Sequence, residues 1–137
     1  MTVLVDTSVW YAALDRSDRS HPRAADVVGA ITDGMVTDHI LVETHRLADH
    51  RLGRAVADAF LETLLTSGIT IELVGRSDLE HAVRIRATFP DRAFSLVDCT
   101  SFAVMERLGV TEVATFDVDF SIYRFGHRRD RAFVVRP

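Results

Sequence analysis

The residues able to do chemistry in this chain are carboxylates, and they fall where secondary structure starts or stops. The stretch Ser95 to Phe120, SLVDCTSFAVMERLGVTEVATFDVDF, carries Asp98 near its beginning and Asp117 and Asp119 near its end. Asp6 closes the opening apolar run, and Glu43 interrupts a helical pattern in the middle of the chain. Each of Asp6, Glu43, Asp98 and Asp117 has a bland explanation alone, but together they fit one crevice. At ~5 Å and an effective dielectric near 20, each ionised pair there would cost roughly 3 kcal/mol. Structural ion pairing does not call for such a cluster, whereas one or two divalent cations would offset the repulsion directly. Donors that are all oxygen select a hard ion, Mg²⁺ or Mn²⁺, over zinc.

The elements that must position these acids follow from local patterns. Ser95 with Asp98 three residues on is a capping-box pair that opens a helix. Leu96, Phe102, Ala103, Met105 and Leu108 supply its apolar faces, and Gly109 suits its left-handed end. Val113 to Phe116 is a short apolar run of the kind buried in a parallel sheet. Asp117 directly follows it and is the preferred fourth acid; Asp119 is placed to ligate through water or to cap the next turn. Thr2 to Val5 reads as a first strand, with Asp6, Thr7 and Ser8 all suited to capping the helix after it. Pro22 suits the first turn of a helix reaching about Asp33. Met35 to Thr37 is a very short second strand, and Asp38 is positioned to cap a helix from His39 to about Arg51. Glu43 shares a face of that helix with Ile40, Thr44 and Leu47, so it needs a partner: Arg46, His39 or a metal. A second helix runs from Gly53 to Gly68. Ile69 to Val74 forms a third strand, Ser77 to Glu80 resembles another capping box, and Pro90 breaks the chain before the organising stretch. A turn or short helix over Phe120 to Phe125 and a last strand over Arg131 to Val135 complete an α/β order with mainly parallel strands and right-handed crossovers.

Composition narrows the chemistry further. The chain has 137 residues, one domain's length. All 16 residues counted as Lys or Arg are arginine, so mechanisms that need a lysine are excluded, P-loop phosphate binding and protein-kinase chemistry among them. The same absence disfavours a response-regulator receiver. A haloacid dehalogenase-type phosphatase would carry Asp-x-Asp after the first strand, but position 8 is Ser. The formal charge of −4 argues against binding nucleic acid through a simple basic surface, without excluding an enzyme that acts on it. The local exception is Gly126-His127-Arg128-Arg129, a solvated loop or a phosphate contact. The lone Cys99 excludes an internal disulfide and a cysteine zinc cluster, and reads as a small buried apolar residue. The opening segment shows no basic leader, and no run approaches the ~18 apolar residues of a membrane span, so a cytoplasmic chain is expected.

VLVDTSVW, LVETHRL and SLVDCTSFAVMERLGVTEVATFDVDF, in this order, resemble the successive acidic motifs of PIN-domain ribonucleases, specifically the small VapC-like toxins of type II toxin–antitoxin pairs. The resemblance covers essentially residues 1–137, read as a single PIN-like domain. It implies a three-layer α/β/α fold with a five-stranded sheet in the order 3-2-1-4-5 and Mg²⁺-dependent endonucleolytic cleavage of RNA. It further implies a homodimer and a cognate antitoxin that fills the active-site groove. Matched position by position, Asp6, Glu43, Asp98 and Asp117 are the family's four acids, acting in catalysis and metal binding, with Asp119 a further candidate ligand. Thr7 and Thr115 match small hydroxyl positions beside those acids, and Arg46 or Arg92 would guide the RNA backbone. The alternative is a non-catalytic RNA-binding or interaction module that has kept this fold.

Overall fold

A computed structural model describes residues 1–136. Twelve elements follow the expected order: β1 (Val3–Val5), α1 (Thr7–Leu14), α2 (His21–Ala30), β2 (Gly34–Thr37), α3 (Asp38–Leu52), α4 (Arg54–Thr66), β3 (Thr70–Glu72), α5 (Arg76–Thr88), α6 (Leu96–Leu108), β4 (Glu112–Ala114), α7 (Asp119–Ile122) and β5 (Val134–Arg136). The five strands form one sheet in the order β3-β2-β1-β4-β5. Every pairing is parallel, so the sheet is wholly rather than mainly parallel.

The sequence of connections explains where a ligand can enter. From β1 the chain steps outward through β2 to β3, then returns past β1 to β4 and β5. Right-handed crossovers put α1 to α4 on one face of the sheet and the return helices on the other. The order therefore reverses between β1 and β4, where Val5 lies beside Ala114, and such a reversal leaves a crevice beyond the strands' carboxyl ends. Val3, Leu4, Val5, Met35, Val36, Val113 and Ala114 are all buried, as strands covered on both faces must be.

The helix α6 begins as its sequence requires. The Asp98 backbone N–H donates to Ser95 Oγ at 3.0 Å, and the Ser95 N–H donates to Asp98 Oδ2 at 3.2 Å. At the other end Gly109 takes φ +68°, the left-handed conformation that glycine reaches without a Cβ clash. Between them Phe102 is fully buried and stacks on Tyr123, centroids 4.3 Å apart, and meets Phe120 edge-on at 4.9 Å. Phe133 continues the stack through Phe125 at 4.6 Å. This aromatic layer fastens α7 and the approach to β5 against α6.

Several boundaries differ from the sequence reading, each for a local reason. The cap of α3 is Thr37, whose Oγ1 accepts from the Ile40 N–H at 3.0 Å. Asp38 instead turns across to accept from the Val74 N–H at 2.9 Å. The helix α5 starts one residue before Ser77, because Asp78, not Glu80, reaches back to the free N–H of Gly75 at 3.0 Å. Asp78 also accepts two bonds from Arg107, at 2.9 and 3.0 Å, while the same guanidinium reaches Glu72 at 3.1 Å. One arginine thus ties α6 to both α5 and β3. β3 is shorter than Ile69 to Val74, and α2 ends at Ala30, before Asp33. β4 stops at Ala114, so Thr115 and Phe116 separate it from Asp117. The last strand begins at Val134, since Arg131 is taken by a lone antiparallel bridge with Phe125.

Candidate active site

The acids gather at the β1/β4 crevice, each delivered by a different element. Asp6 immediately follows β1, and its backbone N–H donates to the Ala114 carbonyl at 3.0 Å, extending the parallel ladder by one rung. Its side chain caps α1 only weakly, accepting from the Ser8 N–H at 3.5 Å. The stronger bonds to the same Oδ2 come from two hydroxyls, Ser8 Oγ and Thr115 Oγ1, each at 2.9 Å. Both hydroxyls also grip the segment after β4. Ser8 Oγ accepts from the Phe116 N–H at 3.0 Å, and Thr115 Oγ1 accepts from the Asp117 N–H at 2.9 Å. This hydroxyl clamp fixes Asp6 relative to Asp117.

Asp117 Oδ1 in turn accepts from the Asp119 N–H at 2.9 Å, a local turn bond that starts α7. The turn folds Asp119 back, so that its carboxyl reaches both Asp98 and Asp117. One carboxylate oxygen each from Asp98, Asp117 and Asp119 lies within 4.8 Å of the other two. Asp98 and Asp119 meet there from the first turn of α6 and the first turn of α7, where helix N-termini favour negative charge.

Glu43 approaches from α3. It forms no salt bridge with Arg46 or His39, the partners its helical spacing offers; His39 Nδ1 is engaged with Thr100 Oγ1 at 3.2 Å. Hydroxyls lie beside it instead: the Thr44 hydroxyl donates to Thr7 Oγ1 at 3.1 Å, and the Thr7 hydroxyl favours the charged form of the Glu43 carboxylate. The charges of Asp6 and Asp117 both act on Glu43. All five acids named from the sequence therefore share one electrostatic environment, with Asp98, Asp117 and Asp119 in closest contact.

Proton affinities follow this arrangement. Burial, then the charge of Asp6, push the Asp98 carboxyl up to about 7. Burial raises Asp6 as well, against the pull of its hydroxyl donors. Burial raises Glu43, with repulsion from Asp6 and Asp117 adding to it, and burial with repulsion from Asp117 raises Asp119, although Arg92 partly counters this. The neighbouring Cys99 thiol is fully buried and held up to about 11, first by desolvation and then by the Asp98 charge, so it is an inert core residue here.

Carboxylates that repel one another and resist ionisation suit a bound cation better than they suit one another. The converging donors are all oxygen, so they fit Mg²⁺ or Mn²⁺ rather than a metal that prefers sulfur or imidazole. The structure brings Asp6, Glu43, Asp98 and Asp117 to one end of the sheet as the sequence pattern suggests, and it sets Asp119 within 4.8 Å of Asp98, as it does Asp117, because the strand ends at Ala114 and the chain turns before α7. From local sequence Ser8 reads only as a helix cap. The signal that could have marked Ser8 is its pairing with a second hydroxyl, Thr115, beside a second acid.

The PIN domain family matches residues 3–126. Over 124 residues the chain is 33% identical to "23S rRNA-specific endonuclease VapC20" of Mycobacterium tuberculosis, covering 90% of this chain and 95% of that one. The crystal structure of Mycobacterium tuberculosis VapC20, described as a Sarcin-Ricin loop cleaving toxin, superposes with a TM-score of 0.83 at 33% identity, over 88% of this chain and 93% of that one. FitAcB from Neisseria gonorrhoeae shares the fold, with a TM-score of 0.64 at 19% identity, over 86% of this chain and 88% of that one.

Proposed function

The chain belongs to the PIN-domain family, and we propose from that premise that it is a metal-dependent endoribonuclease, the toxin of a toxin–antitoxin pair. The observation that carries the reading is the convergence of Asp98, Asp117 and Asp119 oxygens within 4.8 Å at the sheet's reversal point. Asp98, Asp117 and Asp119 would hold Mg²⁺ or Mn²⁺, with Asp6 and Glu43 completing the site directly or through water. A bound divalent ion there supplies charge neutralisation at the scissile phosphate and a more acidic water.

The chain's own groups do the rest. The Ser8 and Thr115 hydroxyls keep Asp6 aimed while leaving its Oδ1 free. Thr7 lies beside Glu43, and burial with the charges of Asp6 and Asp117 raises the proton affinity of that carboxylate, so a bound cation or a water proton is what Glu43 is placed to receive. Arg92, beside Asp119, and Arg46, on the exposed side of α3, would draw the RNA backbone toward a cleft that is otherwise acidic.

The name of the relative makes ribosomal RNA the first substrate to test. We further propose that residues 1–137 act as one PIN-like unit, that it works in the cytoplasm as a homodimer, and that a cognate antitoxin blocks the cleft. Among the described residues no helix is long and apolar enough to cross a membrane. The deciding experiment incubates purified, antitoxin-free protein with ribosomal RNA in Mg²⁺, Mn²⁺ or EDTA, beside folded Asp98→Asn and Asp119→Asn. Discrete ends that require metal and Asp98 are expected. Full cleavage by Asp98→Asn would remove the role assigned to Asp98, whereas a folded protein that binds no divalent ion and cleaves nothing would leave the non-catalytic module as the better account.

A further inference from the structure

Beyond α7 the local charge reverses. Residues 124–131, RFGHRRDR, hold four arginines and one aspartate in a chain whose formal charge is −4. They border a cavity of about 230 Å³ between α5, α6 and the loop after α7. Glu106 and Tyr123 form its floor, the Tyr123 hydroxyl donating to Glu106 Oε2 at 2.7 Å and His81 Nε2 reaching the same oxygen at 3.1 Å. The cavity's one carboxylate is thus already engaged. Arg84, Arg124 and Arg129 line the walls.

What distinguishes these guanidiniums is that they border one concavity. Arg107 and Arg136 are each paired with carboxylates, whereas Arg84, Arg124 and Arg129 have no carboxylate within salt-bridge distance among the described residues. Arg124 is occupied in another way, donating to the carbonyls of Ser121, Ile122 and Tyr123 at the end of α7. Arg129 lies 5.9 Å over the Phe89 ring, and its backbone holds φ +50°, a left-handed conformation unfavourable for a residue other than glycine or asparagine. Arg84 Nη2 lies 3.5 Å from His81 Nδ1, a contact that leaves its charge unpaired, so Arg84 and Arg129 are two guanidiniums without a carboxylate partner that line the same small concavity, with an aromatic beside them.

The cavity and the acidic cleft lie at opposite ends of the same two segments. α7 starts at Asp119 and leads into Tyr123 and Arg124; four helical residues span only ~6 Å. The connection from α5 to α6 has Phe89 at the cavity and Arg92 acting on Asp119. The two places are thus joined by short segments of the same surface.

We propose that this cavity is a second phosphate site, in which Arg84 and Arg129 grip one backbone phosphate of the RNA strand a few nucleotides from the phosphate that enters the acidic cleft. The inference rests on the ribonuclease reading above. Guanidiniums present paired donors that match phosphate oxygens, and a planar aromatic alongside suits a sugar or base. The small, charged concavity lacks the apolar area that a protein partner would bury.

The test uses Arg84→Gln with Arg129→Asn. Glutamine keeps helix propensity on an exposed face and asparagine tolerates the left-handed backbone, so the fold is retained. Binding of a fluorescent single-stranded RNA is measured by anisotropy across a salt series in EDTA, where cleavage cannot occur, beside a control with Arg16→Gln and Arg54→Gln, which loses the same charge elsewhere. The expected result is about tenfold weaker binding and a salt slope smaller by ~0.7, the value for one phosphate on a single strand, with the control near wild type. Equal weakening in both variants, or unchanged RNA binding, would overturn the proposal; unchanged RNA binding with lost binding of polyglutamate would assign the cavity to an acidic protein segment. A wild type that binds RNA through the cavity but cleaves none in Mg²⁺ would separate failure of the ribonuclease reading from failure of this one.

Discussion

Replacing Asp98 by asparagine should make the metal-free protein more stable, although it should abolish the proposed activity. Burial and the Asp6 charge push the Asp98 carboxyl up to about 7 in the folded chain, against 3.8 for an ordinary aspartate. Between those values the folded state holds a proton that the unfolded chain has released, so stability falls as pH rises from about 4 to about 7. A difference near three units, at 1.36 kcal/mol per unit, amounts to on the order of 4 kcal/mol of stability lost by pH 8. The lowered proton affinity of Asp78 does not mask this, because its contribution changes only below its ordinary value of 3.8. Asparagine carries no charge, yet its carbonyl oxygen can still accept the Ser95 N–H that Asp98 Oδ2 accepts. The weaker cap returns ~1 kcal/mol of that gain. In EDTA at pH 8 the variant should therefore unfold about 10 °C above wild type, taking ~4 °C per kcal/mol for a chain of this size. At pH 4 the two should nearly coincide. Thermal unfolding followed by circular dichroism between pH 4 and 8 gives the comparison directly, and repeating it in Mg²⁺ should raise the wild type far more than the variant. A wild type that is as stable at pH 8 as at pH 4 without metal, or a variant less stable at pH 8, would refute the claim that repulsion and burial load this carboxylate.

Ser8→Ala should cost ~2 kcal/mol, since it strands the Phe116 N–H and removes one of the hydroxyl donors to Asp6. It should also weaken Mg²⁺ affinity by about tenfold while Thr115 keeps the site assembled; calorimetry with the metal alone checks the second effect, and unchanged affinity would reduce Ser8 to a helix cap. Arg107→Met should cost ~2 kcal/mol in urea unfolding at pH 7, because Asp78, only 3% exposed, keeps its charge without its guanidinium. Asp78's lowered proton affinity means that its pairing stabilises the fold above its ordinary value and ceases to do so as pH falls past its folded one, so the gap between wild type and variant should narrow by pH 3.

The elements legible in the sequence were those whose ends carried their own chemistry. Ser95, Asp98 and Gly109 define α6 within a few residues of chain, and the structure keeps all three roles. The strands were legible as apolar runs, but their ends were not, because ladder pairing rather than residue type decides where a strand stops. Thr115 illustrates this: it is buried and β-branched like strand residues, yet its hydroxyl is claimed by Asp6 and by the Asp117 N–H, which turns the chain out of the sheet. The role of Ser8 was hidden for a related reason. Its partners Thr115 and Phe116 are 107 and 108 positions away, and nothing local reports that β1 and β4 are neighbours. Arg107 was equally silent, since an arginine in the last turn of a helix is already explained by the helix's own dipole.

The acids are not loaded equally, and the difference explains how the fold tolerates them. Asp6 is bound on Oδ2 by two hydroxyls and a backbone N–H, so much of its lost hydration is replaced by fixed donors. Asp98, Asp117 and Asp119 face one another and receive fewer such bonds, which concentrates the repulsion on the first turns of α6 and α7. Left to itself, that repulsion would swing α7 away, since a four-residue helix has almost no stability of its own. What prevents it is the layer directly behind: Phe120 and Tyr123 from α7 and its end lock onto Phe102 of α6, with Phe133 and Phe125 closing the stack. Aromatic pairs of this kind contribute ~1 kcal/mol each beyond the area they bury, enough together to balance a carboxylate pair at the site. The acidic cleft and the aromatic layer are therefore two faces of one device: apolar contacts on one side of α6 and α7 hold in place, without metal, the charges that a metal would otherwise have to gather.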